Sequence, residues 1–223
     1  MGTGNRVHRR TAIGIKSLER QRASKQPYRK VLVVCEGEKT EPRYFTELSD
    51  RYRLNSARIE IYGCGSDPYR VFELAKQRYK DEKAKGDGFD KVFCVFDEDN
   101  HTSYQNALQE IQVAKPKDTF EAIHSVPCFE YWLLLHFVYT TKPYASLSGN
   151  SACQQVETDL KKYMPLYSKG NEGIFEQLAE KIDIASDRAK KSLLAAKNAG
   201  THNPTTRVHS LVEYLKHLKD GAS

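Results

Sequence analysis

The sequence lacks the segments that direct a chain into or across a membrane. No apolar run reaches the roughly 20 residues that a membrane-spanning helix needs. The basic N-terminus is not followed by the apolar stretch of a secretory signal peptide. These absences predict a soluble, cytoplasmic protein with no membrane partner.

Cysteine is scarce, with five residues in a chain of 223. None belongs to a Cys-x-x-Cys pair and the number is odd, which argues against both a zinc site and a disulfide framework. Cys35 and Cys94 lie within apolar runs and are predicted to be small buried hydrophobic residues. The Gly-x-x-x-x-Gly-Lys-[Ser/Thr] motif of ATP-binding loops is also absent, so any ATP dependence must come from a partner.

Positive charge is distributed unevenly along the chain. Residues 1–30 contain nine of the 35 Lys and Arg residues but one of the 29 Asp and Glu residues. The remaining 193 residues carry 26 basic and 28 acidic groups. Residues 1–28 are therefore predicted to form a basic, flexible arm that contacts nucleic-acid phosphates, with a merely solvated terminus as the alternative. The arginines assigned to this contact are Arg6, Arg9, Arg10, Arg20, Arg22 and Arg29.

Apolar runs and helical patterns alternate through residues 29–140. A helix whose cap is predicted to be Thr40, a helix starting at Pro68, and helices over residues 102–113 and 128–138 follow the strands in turn. This order predicts an α/β fold with a parallel sheet of about four strands, covered by helices on both faces. The predicted strands are Val31–Cys35, Ala57–Tyr62, Phe89–Phe96 and Thr119–Val126.

Residues 141–223 have helical patterns and are predicted to form a helical cap packed on the sheet domain. One helix is expected over Cys153–Met164, and a longer one carries apolar residues from Ile174 to Leu193. Asn203-Pro204 is predicted to start the last helix.

Acidic residues directly follow two of the predicted strands. Glu36 and Gly37 end the first strand, and Asp97 and Asp99 follow the third. Parallel strands end at the same edge of a sheet, so we expect these carboxylates to lie close together and to repel one another. Carboxylates suit Mg²⁺ or Mn²⁺, and such a metal supports phosphodiester cleavage. A metal site is therefore predicted here, and an acidic turn without function is the alternative.

The strings around these acids resemble known families. Val33–Gly37 and Val95–Asp99 are similar to the Glu-Gly and Asp-x-Asp motifs of the Toprim fold. Three strings resemble the RloB family more narrowly: Cys35–Phe45, Val126–Phe137 and, more weakly, His202–Thr206.

The resemblance to the RloB family implies a Toprim-like (Rossmann-like) fold and a metal-dependent nuclease of bacterial anti-phage and abortive-infection defence. Such proteins are often encoded beside an AAA-type ATPase. The substrate would be RNA, with tRNA as one candidate, or DNA. The match gives Glu36 a general-base or metal role, and it gives Asp97 and Asp99 metal binding.

Three further residues are weighed as members of the site, each with a structural alternative. Glu130 follows the fourth strand at the same sheet edge, where it either joins the catalytic acids or interacts with a helix dipole. Lys39, in the turn after Glu36, either neutralises a phosphate in catalysis or is an ordinary surface lysine. His136 fits a buried histidine better than a catalyst.

Other functions compete with the nuclease hypothesis. A sensor subunit of an ATPase-containing complex would bind metal and a nucleotide or strand end without cutting it. A phosphoacceptor receiver domain also gathers acids at strand ends, but it leaves the helical third of the chain unexplained. The sequence leaves the oligomeric state open, a homo-oligomer included.

Overall fold

The computed structural model describes residues 29–54, 58–98 and 103–220, together with Met1. In this part of the chain, five strands form one sheet: β1 (Lys30–Cys35), β2 (Arg58–Gly63), β3 (Lys91–Asp97), β4 (Phe120–Val126) and β5 (Thr205–Thr206). Their order across the sheet is β2-β1-β3-β4-β5. The first four strands pair in parallel, and β5 pairs antiparallel to β4.

Helices follow each of the first four strands and make up most of the C-terminal third. The long helix predicted through Leu193 is divided into two helices by a 3₁₀ turn at Ala179–Lys181. The helices of the described residues are α1 (Thr40–Arg51), α2 (Pro68–Ala84), α3 (Tyr104–Val113), α4 (Glu130–Leu135), α5 (Ala152–Lys161), α6 (Ile174–Leu178), α7 (Ile182–Asn198) and α8 (Val208–Asp220).

Strand β1 is buried along its whole length and contributes to two hydrophobic cores. Val31, Val33 and Cys35 pack into the core that α1 and α4–α8 cover, while Leu32 and Val34 pack into the core under α2 and α3. A strand buried on both faces needs mainly apolar residues, which explains the apolar run from Val31 to Cys35. The predicted α/β fold, with helices on both faces of a mostly parallel sheet, is confirmed.

The sheet has one strand more than predicted, because β5 forms where the last helix was expected to start. Asn203 is held by Tyr144, whose N–H donates to the Asn203 Oδ1 at 3.1 Å and whose carbonyl accepts from Nδ2 at 2.6 Å. Thr205 and Thr206 then pair with β4. Helix α8 begins at Val208, whose N–H donates to the Thr206 hydroxyl at 3.2 Å. The prediction of a helix start at Asn203-Pro204 is therefore wrong.

The starts of α1 and α2 differ in how well the sequence predicts them. Asp67 caps α2 by accepting hydrogen bonds from the N–H groups of Tyr69 and Arg70. Thr40 is instead the first residue of α1, and its hydroxyl accepts a hydrogen bond from the N–H of Gly170 at 2.9 Å. The predicted cap is wrong because a distant segment occupies that hydroxyl.

The C-terminal helices share a core with the sheet: the rings of Tyr44 on α1 and Phe175 on α6 lie 5.2 Å apart. The boundaries predicted between residues 1–28, 29–140 and 141–223 stay predictions. No helix in the described ranges is long and apolar enough to span a membrane.

Candidate active site

Glu36 and Asp97 meet where β1 and β3 end. The two strands are neighbours in the sheet, with Cys35 opposite Val95, so the residues at their carboxyl ends lie side by side. The N–H of Asp97 donates to the Glu36 Oε2 at 2.9 Å, and the N–H of Glu36 donates to the carbonyl of Val95 at 2.8 Å. The structure thus brings together two of the predicted site residues. The third, Asp99, lies outside the described residues.

Asp97 also connects this edge to α4, the helix that Glu130 begins. The N–H of Phe129 donates to the Asp97 Oδ2 at 3.1 Å. Glu130 is buried, and its Oε1 accepts a hydrogen bond from the Tyr167 hydroxyl at 2.9 Å. Glu130 therefore lies at the predicted sheet edge and interacts electrostatically with Asp97.

Glu41 is a fourth acid of this site, which the sequence analysis did not select. It lies in the first turn of α1 and is 7% exposed. Burial, together with the charges of Glu130 and Glu36, raises the pKa of Glu41 from 4.5 to about 7, against the lowering effects of a backbone hydrogen bond and of Lys169. An acid in a first helical turn is ordinarily explained by the helix dipole. For that reason, its position at the start of a helix did not mark Glu41 as a site residue.

Together, Glu36, Glu41, Asp97 and Glu130 are here called the acid cluster. Asp97 keeps part of its surface exposed, yet its pKa is raised well above the usual range. The main cause is the loss of hydration in the surrounding protein, followed by the charges of the other three acids. Like charges held this close favour the binding of a proton or a cation.

Glycine allows the backbone to pack tightly around the turn that carries Glu36. A Cβ atom on Gly63, at the end of β2, would lie 2.6 Å from the Glu38 Cα and 2.7 Å from the Gly37 carbonyl oxygen. These atoms belong to the backbone rather than to a flexible side chain. A larger residue at position 63 would therefore force the turn after Glu36 to shift.

A segment between α5 and α6, residues 167–173, lies against α1 and is here called the strap. Besides the bond from Gly170 to Thr40, the Arg43 guanidinium donates to the Gly170 carbonyl oxygen. The carboxylate of Glu47 accepts from the N–H groups of Gly173 at 2.6 Å and Phe175 at 2.8 Å. The strap is thereby attached to α1 at several points.

The strap places a cation beside the acid cluster. The Lys169 Nζ lies 3.5 Å from the Glu130 Oε1 and 3.6 Å from the Glu157 Oε1. Lys39, the lysine predicted for this role, is exposed, and its side chain packs against Gly170. Sequence reasoning missed Lys169 because nothing local connects it with an acid 39 residues earlier.

A comparison with known protein families identifies the family of this chain. The family model described as RloB-like protein matches residues 31–215. The chain belongs to the RloB-like family. The match confirms the family indicated by the motifs, and it includes the acid cluster and the strap. No curated protein and no solved structure matches the chain.

A metal in this RloB-like chain would have to be bound mainly by carboxylates. Within the described ranges, no three His, Cys, Asp or Glu side chains are arranged to hold an ion together. Mg²⁺, however, commonly takes one or two protein carboxylates and fills its other positions with water and substrate phosphate oxygens. The oxygen donors of Glu36 and Asp97 fit that chemistry, with Asp99 predicted as a further ligand.

One histidine lies near the site: the His202 Nε2 is 3.1 Å from the Oε1 of Glu98, the residue after Asp97. His136 is buried directly after α4, with its Nδ1 3.0 Å from the carbonyl oxygen of Trp132. Burial lowers the pKa of His136 to about 4, so that it is neutral near pH 7. This fits the interpretation of His136 as a buried histidine.

Arg29 lies at the opposite edge of the sheet from the acids. It precedes β1 and lines a cavity of about 590 Å³ with Asp90, Glu121 and Tyr214. A strand advances about 3.3 Å per residue, so β1 separates Arg29 from Glu36 by about 20 Å. The structure therefore does not bring Arg29 to the acid cluster. The other predicted contacts lie outside the described residues: Arg6, Arg9, Arg10, Arg20 and Arg22.

Proposed function

We propose that this RloB-like chain is a metal-dependent nuclease with a Toprim-like fold, which hydrolyses phosphodiester bonds in RNA or DNA. The observation that carries this proposal is the acid cluster at the carboxyl edge of a parallel sheet. Ligands bind at this edge in open α/β folds. The Glu-Gly and Asp-x-Asp strings that resemble Toprim motifs provide Glu36 and Asp97 of the cluster.

Three acids would share the work of hydrolysis. Asp97 and Asp99 would hold Mg²⁺ or Mn²⁺, with Glu36 beside them. When bound, the metal supplies an acidified water and stabilises charge on the leaving oxygen. Glu36, with one oxygen held by the Asp97 N–H, orients the water and accepts its proton. The water oxygen bonds to phosphorus, and the bond from phosphorus to the leaving strand end breaks.

The rest of the proposed function concerns partners. The basic arm, residues 1–28, would contact phosphates of the nucleic acid. An AAA-type ATPase partner would supply any ATP dependence. The resemblance to the RloB family supports this partner and a role in anti-phage defence.

A nuclease assay on the purified chain tests this proposal. Total tRNA, single-stranded RNA, and single- and double-stranded DNA are incubated with the chain in EDTA, Mg²⁺ or Mn²⁺, alongside Asp97→Ala. We expect cleavage of at least one substrate that needs a metal and that Asp97→Ala loses. Absence of cleavage in every metal, with the ATPase partner present as well, would overturn the nuclease assignment. Binding without cleavage would favour the sensor function.

A further inference from the structure

We propose that Lys169 binds a phosphate oxygen of the substrate at the acid cluster; this inference rests on the proposed nuclease function. Lys169 lies at the mouth of the cluster. Its side chain is 56% exposed, whereas that of Glu130, its partner at 3.5 Å, is 3% exposed. The ammonium group therefore stands between a buried carboxylate and solvent.

The charge of the cluster creates the need for such a cation. The ionised carboxylates of the cluster repel a phosphodiester, which is itself an anion. Lys169 interacts with several of these acids: it lowers the pKa of Glu41, and Glu130 and Asp97 raise the pKa of Lys169 against the lowering effect of burial. Lys169 thus remains protonated and offers the substrate an attractive charge beside the acids.

Lys169 also keeps donors available for a ligand. Its distances of 3.5 Å to Glu130 and 3.6 Å to Glu157 exceed the roughly 2.7–3.2 Å of an N–H···O hydrogen bond. An ammonium group has three N–H donors. The two ion pairs orient the ammonium group, but neither is a close hydrogen bond that the phosphate would have to break.

The strap fixes the backbone around Lys169 on both sides. Tyr167 donates its hydroxyl to Glu130, and Gly170 is bound through both its N–H and its carbonyl group. Because the backbone is already ordered, little conformational entropy is lost when the side chain contacts a ligand. These contacts distinguish Lys169 from an ordinary surface lysine.

The test compares the wild type with Lys169→Met, Lys169→Arg and Lys162→Met. Lys162 is a matched control: its side chain is 66% exposed, but it pairs with Asp159, outside the cluster. Cleavage is measured as kcat and KM. Binding of a labelled oligonucleotide is measured across a salt series in Ca²⁺, together with thermal unfolding of each variant.

We expect Lys169→Met to reduce kcat/KM by about 10- to 100-fold, Lys169→Arg to restore most of it, and Lys162→Met to resemble the wild type. The salt dependence of binding should fall by about one phosphate contact in Lys169→Met and stay unchanged in Lys162→Met. A merely structural role for Lys169 would change the melting temperature and leave the salt dependence as it was.

The outcomes separate this inference from the proposed function. If the wild type cleaves, and Lys169→Met matches Lys162→Met in kcat/KM and in salt dependence, the role of Lys169 is wrong and the nuclease stands. If no protein cleaves, even with the ATPase partner present, the nuclease fails, and the salt series alone decides whether Lys169 contacts phosphate. If the wild type does not bind the oligonucleotide at all, both proposals are overturned.

Discussion

The backbone N–H of Asp97 holds the carboxylate of Glu36 at 2.9 Å. The donor belongs to the main chain, so replacing the Asp97 side chain leaves this bond in place. Asparagine at position 97 also keeps a side-chain oxygen that can accept from the N–H of Phe129. Asp97→Asn therefore removes one charge from the acid cluster with the least disturbance of its neighbours.

Glu36→Gln should abolish cleavage while preserving the fold. Glutamine retains an oxygen that accepts from Asp97, but it neither takes a proton from water nor carries the negative charge. We expect kcat to fall at least about 100-fold, the size of a lost general base. Steady-state kinetics and thermal unfolding are measured together. Full activity in a folded Glu36→Gln protein would refute the mechanism.

Glu41 should make the chain less stable as the pH rises. Its pKa is about 7 in the folded chain against an ordinary value of 4.5, so the folded state binds the proton more tightly. The free energy of unfolding therefore falls as the pH increases from about 4.5 to about 7. In metal-free buffer at pH 8, Glu41→Gln should be more stable than the wild type by about 3 kcal/mol.

Urea unfolding at pH 5 and pH 8 checks this prediction. Glu121→Gln serves as the control, because Glu121 lies on β4 opposite Phe93, far from the acid cluster, and pairs with Lys91. The wild type and the control should lose stability between the two pH values, and Glu41→Gln should lose less. Equal losses in all three proteins would contradict the assignment to Glu41.

Glu47 should determine how firmly the strap is held on α1. Its carboxylate accepts two backbone N–H groups, and a hydrogen bond to a charged group contributes about 1.5–3 kcal/mol. Glu47→Ala is expected to lower the free energy of unfolding by about 2–3 kcal/mol and to weaken oligonucleotide binding, because Lys169 is carried on the strap.

Glu73→Ala provides the comparison for this loss. Glu73 pairs with Arg70 on the exposed face of α2, where an ion pair contributes little. Hydrogen exchange of the Gly173 and Phe175 amides should accelerate in Glu47→Ala and remain slow in Glu73→Ala. Unchanged exchange would show that other contacts suffice to hold the strap.

The parts of the site that depend on strand direction can be predicted from sequence. An unbroken apolar run indicates a strand buried on both faces, and parallel strands end at one edge, which brings Glu36 to Asp97. The position of Glu130 at this edge follows from the same rule, because Glu130 comes after β4. These predictions need no knowledge of how distant segments pack.

The parts that depend on the path of the C-terminal segment cannot be predicted in this way. Lys169 reaches Glu130 because the strap crosses α1, through contacts such as Gly170 with Thr40 that join residues 130 positions apart. Strand β5 could not be predicted from the sequence, because its two residues are too few to show an alternating hydrophobic pattern. Glu41 has a sufficient local explanation in its helix, so its membership in the cluster appears only in three dimensions.

The most direct test measures the cleavage rate as Mg²⁺ is added to the wild type, Asp97→Asn and Glu121→Gln. We expect no cleavage in EDTA, and a cleavage rate that rises to saturation with Mg²⁺ in the wild type and in Glu121→Gln. We expect Asp97→Asn to stay inactive or to need far more Mg²⁺, with its melting temperature unchanged. Cleavage by Asp97→Asn at the wild-type rate and Mg²⁺ requirement would contradict the central claim that the acid cluster performs metal-dependent hydrolysis.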